Sequence, residues 1–219
     1  TVHDVAYHPG DVQSRRVPMT TVRLLRRAAT ALVAHGDGLA AELRQLGCDP
    51  PAGIHVVRHL ALDRHRRLAE RAGLRRSPPD GTFRVLFFGR AMSYKGLPIL
   101  IEAADRVVTE LPRARFVVAG TGPDLDRLRP ELARRPFFEV RDRYVPDPEV
   151  AQLFLDADLV VLPYIEASQS GVAALAAAFG VPVVATDTGE LGELVRATGM
   201  GPVVAPGDAA ALADAVLGL

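Results

Sequence analysis

The stretch EASQSGVAALAAAFGVPVVATDTGE, residues 166–190, follows DLVVLPY at 158–164. The preceding run is rich in Leu and Val and reads as a strand buried on both faces. Ser168, Gln169, Ser170 and Gly171 are small and polar. Residues 172–179 are almost all Ala, Leu and Val and read as a buried helix, closed by Gly180 as its C-terminal cap. Residues 182–186 form a second strand, and Gly189 turns the chain. The order is strand, polar loop, helix, strand: one βαβ unit. Its loop leaves the carboxyl end of a strand and enters the amino end of a helix. Free backbone N–H groups and the helix dipole meet there, which makes an anion site. Small residues let a phosphate come close to the backbone. Glu166 opens the loop, where a carboxylate could accept hydrogen bonds from sugar hydroxyls. A Ser/Gly-rich strand-to-helix turn with no ligand is the competing reading of the same residues.

The pattern of this unit repeats on both sides of it. Upstream, 83–88 reads as an apolar strand and 96–111 as an amphipathic helix with Leu100, Ala104, Val107 and Val108 inward. A strand at 116–119, the turn GTGP at 120–123, a helix at 124–134, a strand at 137–140 and a helix at 147–157 follow. Downstream, a short helix at 190–196 and a strand at 201–204 precede a helix capped by Asp208. Alternating β and α elements with short loops predict an α/β fold, a Rossmann-like doubly wound parallel sheet. A ligand belongs over the carboxyl ends of its strands.

Residues 1–76 alternate in the same way but supply few strands. A strand end at 1–4, the turn HPGD at 8–11, a helix at 20–29 with Val22, Leu25 and Ala29 on one face, and a strand at 31–35 come first. A helix at 38–46 capped by Asp37, a strand at 54–59 and an Arg-rich helix at 61–76 follow. A doubly wound sheet needs more strands than this, so the segment is read as a partial second Rossmann-like unit, the tail of a domain whose front is absent. SPPDG at 77–81 is a linker, and 82–219 is the second domain.

Composition excludes several classes. Lys+Arg and Asp+Glu are both 26, so no basic excess points to nucleic acid. No apolar run reaches the ~20 residues of a membrane span, and no signal peptide is expected. Cys48 is the only cysteine, so the cytoplasm is the expected location. All six histidines lie between His3 and His65, which leaves the rest of the chain without an imidazole base. Lys95 is the single lysine among the 26 basic residues. Where arginine fills every other basic position, a lone lysine marks a place that calls for a compact point charge; a solvated surface lysine is the plain alternative.

Three loops leave strand ends in the second domain. Gly89, Arg90 and the residues to Lys95 and Gly96 offer two cations and two glycines at the start of a helix. Arg90 can grip two phosphate oxygens as a fork, and Lys95 adds a point charge. Gly120 and Gly122 permit a close ligand or a plain turn. The third loop is 166–171. Two cations and a helix N-terminus facing one crevice suit a diphosphate.

FFGR (87–90), YKG (94–96), VVAGTGP (117–123), DADLVVLPY with Glu166 (156–166), GVPVVATDTGELGELV (180–195) and PGD (206–208) occur in that order. Together they resemble the C-terminal, donor-binding domain of GT-B-fold glycosyltransferases of family 4, the "group 1" family, over roughly 80–219. Residues 1–5 and HPGD are similar to the late part of that family's N-terminal, acceptor-side domain. The resemblance implies retaining, metal-independent transfer of a sugar from a UDP-, GDP-, ADP- or dTDP-linked donor, with no cofactor. The resemblance leaves the acceptor open among a glycan, a lipid-linked sugar and a small molecule. The resemblance also implies Arg90 and Lys95 on the donor diphosphate, with Gly89 and the N–H groups around Ser170, Gly171 and Val172 close to it. Glu166 takes the donor sugar, and the base and ribose lie near Tyr144 and Val145.

The sequence departs from the family pattern at Ala174, where a second Glu usually holds the ribose, and at 167–172, where ASQSGV replaces the commoner Gly-Phe-Gly. The family's opening Gly-rich loop, its terminal helix and most of the acceptor side, which usually brings a catalytic His, are also missing; His3 and His8 are read as structural or solvated. The alternative reading is a non-catalytic nucleotide-binding module or partner subunit on the same fold. A sugar-nucleotide epimerase is disfavoured, because that chemistry needs acid–base groups and this domain has no His. An open face on the N-terminal segment is a place for self-association.

Overall fold

The computed structural model describes residues 18–57, 63–167 and 170–219. The readings at 1–17, including HPGD, His3 and His8, lie outside the described residues, as do Ser168 and Gln169. In the first part, α1 (Met19–Ala28) and α2 (Asp37–Gln45) flank β1 (Leu32–Ala34), and β1 pairs in parallel with β2 (Ile54–Val56). A small core of Leu32, Ala34, Leu39, Ala40, Leu43 and Cys48 holds this unit together. Of the expected inward face of α1, Leu25 is 64% exposed, while Val22 is half-buried and Ala29 packs partly buried against this core.

Helix α3 (Arg64–Arg71) precedes the linker and packs back on the second unit. Arg64 and His65 both reach Asp147, at 2.5 and 3.3 Å, and an Arg66 guanidinium N–H donates to the Ala178 carbonyl at 2.8 Å.

The second unit runs β3 (Phe83–Phe88), α4 (Leu97–Glu110), β4 (Ala114–Gly120), α5 (Pro123–Ala133), β5 (Phe138–Asp142) and α6 (Asp147–Asp156). It continues through β6 (Leu159–Leu162), α7 (Gly171–Phe179), β7 (Val183–Thr186), α8 (Gly189–Thr198), β8 (Val203–Val204) and α9 (Ala209–Leu217). Its six strands are all parallel, in the order β5-β4-β3-β6-β7-β8.

Period-two alternation sorts the strands between two cores. Val85, Phe87, Phe116, Val118, Leu159 and Val161 face α4, α5 and α9. Leu86, Val117, Val160, Leu162 and Val183 face α6, α7 and α8. The sheet is therefore covered on both sides, which is why its central strands are continuous apolar runs.

The chain winds outward from β3 in one direction and from β6 in the other. These two strands are neighbours in register, with Val85 opposite Leu159. Connections leaving them diverge to opposite faces and open a crevice at their carboxyl ends, where doubly wound sheets bind ligands.

Candidate functional site

The loops after β3 and β6 border this crevice. The β3 loop is tied to its neighbour by backbone hydrogen bonds: Ala91 N–H to the Thr121 carbonyl at 2.8 Å, and Asp124 N–H to the Ala91 carbonyl at 3.1 Å. A Cβ at Gly120 (φ +143°) would fall 1.9 Å from the Gly89 carbonyl oxygen, and one at Gly122 2.5 Å from that of Ala91. What comes close to these two glycines is therefore protein backbone.

Residues Ser93–Lys95 form one 3-10 turn, unforeseen in the sequence, which ends at Gly96 with φ +69°. A Cβ there would lie 1.8 Å from the Pro163 carbonyl oxygen. The Ile165 N–H donates to the Tyr94 carbonyl at 2.8 Å. The β3 loop and the end of β6 are thus pressed together, backbone on backbone.

Lys95 stands at this junction. Its Nζ lies 3.8 Å from the centroid of the Tyr164 ring and 5.4 Å from that of Tyr94. Burial pulls its ammonium from 10.5 down to about 8, with the Arg90 charge acting in the same direction. Among the described residues no carboxylate forms an ion pair with Lys95. Arg90 and Glu166 are exposed.

Tyr164 is fully buried, and burial keeps its phenol protonated well above the usual range. Its hydroxyl is 3.2 Å from Ser170 Oγ, which accepts from the Ala173 N–H at 3.3 Å and so caps α7. Gly171 is exposed and Val172 half-buried, with Cγ2 3.8 Å from where a Gly89 Cβ would stand. The start of α7 thus adjoins the β3 loop. Tyr144, 82% exposed, and buried Val145 follow β5, and the Arg143 N–H donates to the Gly120 carbonyl at 3.0 Å. Ala174 is buried in α7, 4% exposed.

A cavity of about 360 Å³ lies between the two units, lined by His35, Asp37, Ser170, Glu190, Glu193 and Leu194 among others. One expectation is corrected here, and one residue takes a further part. Asp37 is the first residue of α2 rather than its cap; the cap position is Gly36, which has no side chain. Glu190 does lie in the first turn of α8, but its Oε1 accepts from the Leu39 N–H of α2 at 3.1 Å. Its carboxylate fills the space beside Gly36.

Tyr164 and Glu190 are the residues whose part sequence reasoning missed. The first was absorbed into an apolar run. The second caps a helix far away in the chain.

The sequence profile of the family "Glycosyl transferases group 1" matches residues 82–219, and the chain belongs to that family. It is 32% identical to the D-inositol 3-phosphate glycosyltransferase of Jonesia denitrificans, over 84% of this chain and 47% of that protein. It is 37% identical to the enzyme of the same name from Mycolicibacterium paratuberculosis, over 100% of this chain and 51% of the relative. The chain spans about half the length of the curated relatives it matches. Among solved structures, Anabaena Alr3699/HepE in complex with UDP superposes with a TM-score of 0.72 at 20% identity, over 99% of this chain and 60% of that one, a likeness of fold.

Proposed function

We propose that this chain is the donor half of a retaining glycosyltransferase, binding a nucleoside diphosphate sugar across the crevice between β3 and β6. Residues 82–219 make up the donor domain, 77–81 the linker and 1–76 part of the acceptor side. The observation that carries the reading is Lys95. The only lysine in the chain is held where the two crevice loops meet, beside the start of α7, without a carboxylate partner among the described residues.

As the bond from the sugar to the leaving group breaks, negative charge grows on the β-phosphate. Arg90, Lys95 and the N–H groups at Ser170, Gly171 and Val172 are fixed donors for that charge. They take the part of a divalent ion, so no metal cofactor is required. Glu166 receives sugar hydroxyls, with Ser168 and Gln169 beside it, and the base rests near Tyr144 and Val145.

UDP is the first donor nucleotide to try, ahead of GDP, ADP and dTDP. The relatives' name makes a cyclitol phosphate the first acceptor to test. Among the described residues no helix is long and apolar enough to cross a membrane; a cytoplasmic setting belongs to the proposal. Self-association would run through the exposed Leu24 and Leu25 of α1.

The test is a thermal-shift titration with the four nucleoside diphosphates, with Lys95→Ala as control. A rise in melting temperature with one nucleotide, absent in the variant, supports the reading; no rise with any of them refutes it. The burial of Ala174, where the family's second Glu is absent, favours a non-catalytic nucleotide-binding module as the second reading. A donor hydrolysis or transfer assay on a protein that binds nucleotide separates the two.

A further inference from the structure

Tyr164 was read as part of a buried strand end, and an aliphatic side chain would serve that purpose. Its position makes other use of the ring and the hydroxyl. The ring face lies under the Lys95 ammonium at 3.8 Å, while the hydroxyl meets Ser170 Oγ at 3.2 Å. One rigid side chain thus touches both the cation of the β3 loop and the capping residue of α7. Its backbone is held as well: the Thr186 hydroxyl donates to the Tyr164 carbonyl at 2.6 Å. Lys95 and α7 lie on chain segments far apart in sequence, and Tyr164 is where they are referred to each other.

The choice of an aromatic partner has a chemical reason. A carboxylate beside Lys95 would neutralise it and compete with an anionic ligand. An aromatic face attracts an ammonium through its quadrupole but leaves the net charge and the N–H donors available.

We propose that Tyr164 is a positioning residue for the donor diphosphate, its ring orienting the Lys95 ammonium and its hydroxyl holding Ser170 so that the cation and the N-terminus of α7 engage one ligand together. The proposal rests on the donor-site reading above. The lowered Lys95 titration comes from burial and from the Arg90 charge, and the ring acts against both.

Because Lys95 is the only lysine, the chain labelled with ¹⁵N-lysine gives one Nζ resonance, and its pH titration reads this group alone. Tyr164→Leu removes the ring; the Lys95 midpoint is expected to fall below that of the wild type, with UDP affinity about tenfold weaker. Tyr164→Phe keeps the ring and the core. It should leave the Lys95 midpoint in place while weakening UDP a few-fold through the released Ser170.

A folded Tyr164→Leu chain with wild-type Nζ titration and UDP affinity overturns the proposal. Should the Leu variant not fold, Tyr164→Phe decides: UDP affinity equal to the wild type overturns the link to Ser170 and with it the joint positioning. Wild-type chain that binds none of UDP, GDP, ADP and dTDP is a different result. It rejects the donor-site reading itself, and the positioning role with it.

Discussion

The carboxylate of Glu190 occupies the place where a side chain at residue 36 would begin. A Cβ built on Gly36 falls 1.7 Å from Oε2 and 1.9 Å from Oε1, and Oε1 caps α2 through the Leu39 N–H at 3.1 Å. Gly36 has extended backbone, φ −176°, which any residue can adopt, so the glycine is required by its neighbour alone. Gly36→Ala and Glu190→Ala are each expected to cost about 1 kcal/mol, the worth of a helix cap. The double variant should cost little more than either single one, because both remove the same interaction. Urea denaturation of the four proteins checks this; strict additivity would count against it.

The pH behaviour of Lys95 carries two opposite signs. Folded Lys95 loses its proton near pH 8, whereas the unfolded lysine keeps its proton to 10.5. Between those values the unfolded state binds more protons, so stability rises with pH. Above pH 10 the buried Tyr164 phenol, which ionises later than in the unfolded chain, turns the trend downward. If the proposed donor site holds, affinity for a nucleoside diphosphate is expected to fall as pH rises through about 8, because the Lys95 charge is lost. Lys95→Met should flatten both slopes, measured by thermal melts and by nucleotide titration from pH 7 to pH 10.

Gly96 and Gly180 test how tightly the crevice loops are joined. Both are left-handed, at φ +69° and +70°, but a Cβ on Gly96 meets the Pro163 carbonyl at 1.8 Å while one on Gly180 meets nothing within 4 Å. Gly180→Ala should cost about 1 kcal/mol, the left-handed strain alone. Gly96→Ala should cost at least about 3 kcal/mol and abolish nucleotide binding. Equal losses by chemical denaturation would show that the contact is relieved without cost.

Ala174→Glu restores the residue type common in the family, yet Ala174 is only 4% exposed. A carboxylate forced into that space is expected to cost about 2–4 kcal/mol. Nucleotide affinity should not improve. A stable variant that binds more tightly would mean that α7 can turn to bring position 174 into the crevice.

Most of the second unit could be read from local pattern. The run at 83–88 became β3 with the same limits, and Gly180 ends α7 in the left-handed conformation expected of it. Strands buried on both faces leave continuous apolar runs, and glycine caps punctuate them, so neighbouring residues carry that information. The crevice loops were legible for the same reason, since cations and glycines cluster directly after strands.

What escaped depends on residues far apart. The cap of α2 comes from a side chain 151 residues away, which no window around Asp37 contains. The double role of Tyr164 is hidden because a tyrosine closing an apolar run looks like core, and it is core. Helix α1 shows the reverse case: its periodicity announces an inward face of Val22, Leu25 and Ala29, but Leu25 is mostly exposed.

The pairing of β3 with β6 also bears on the order of folding. β3 meets β4 across a single helix, but it meets β6 only after α4 to α6 and two further strands have been made, with Val85 set against Leu159. Contacts between distant parts of a chain carry the larger loop-closure cost and form late. The crevice is built on this one long-range seam. Two well-formed half-sheets without this seam have no place for Lys95 to meet Tyr164, so the candidate site exists only once the long-range pairing is closed.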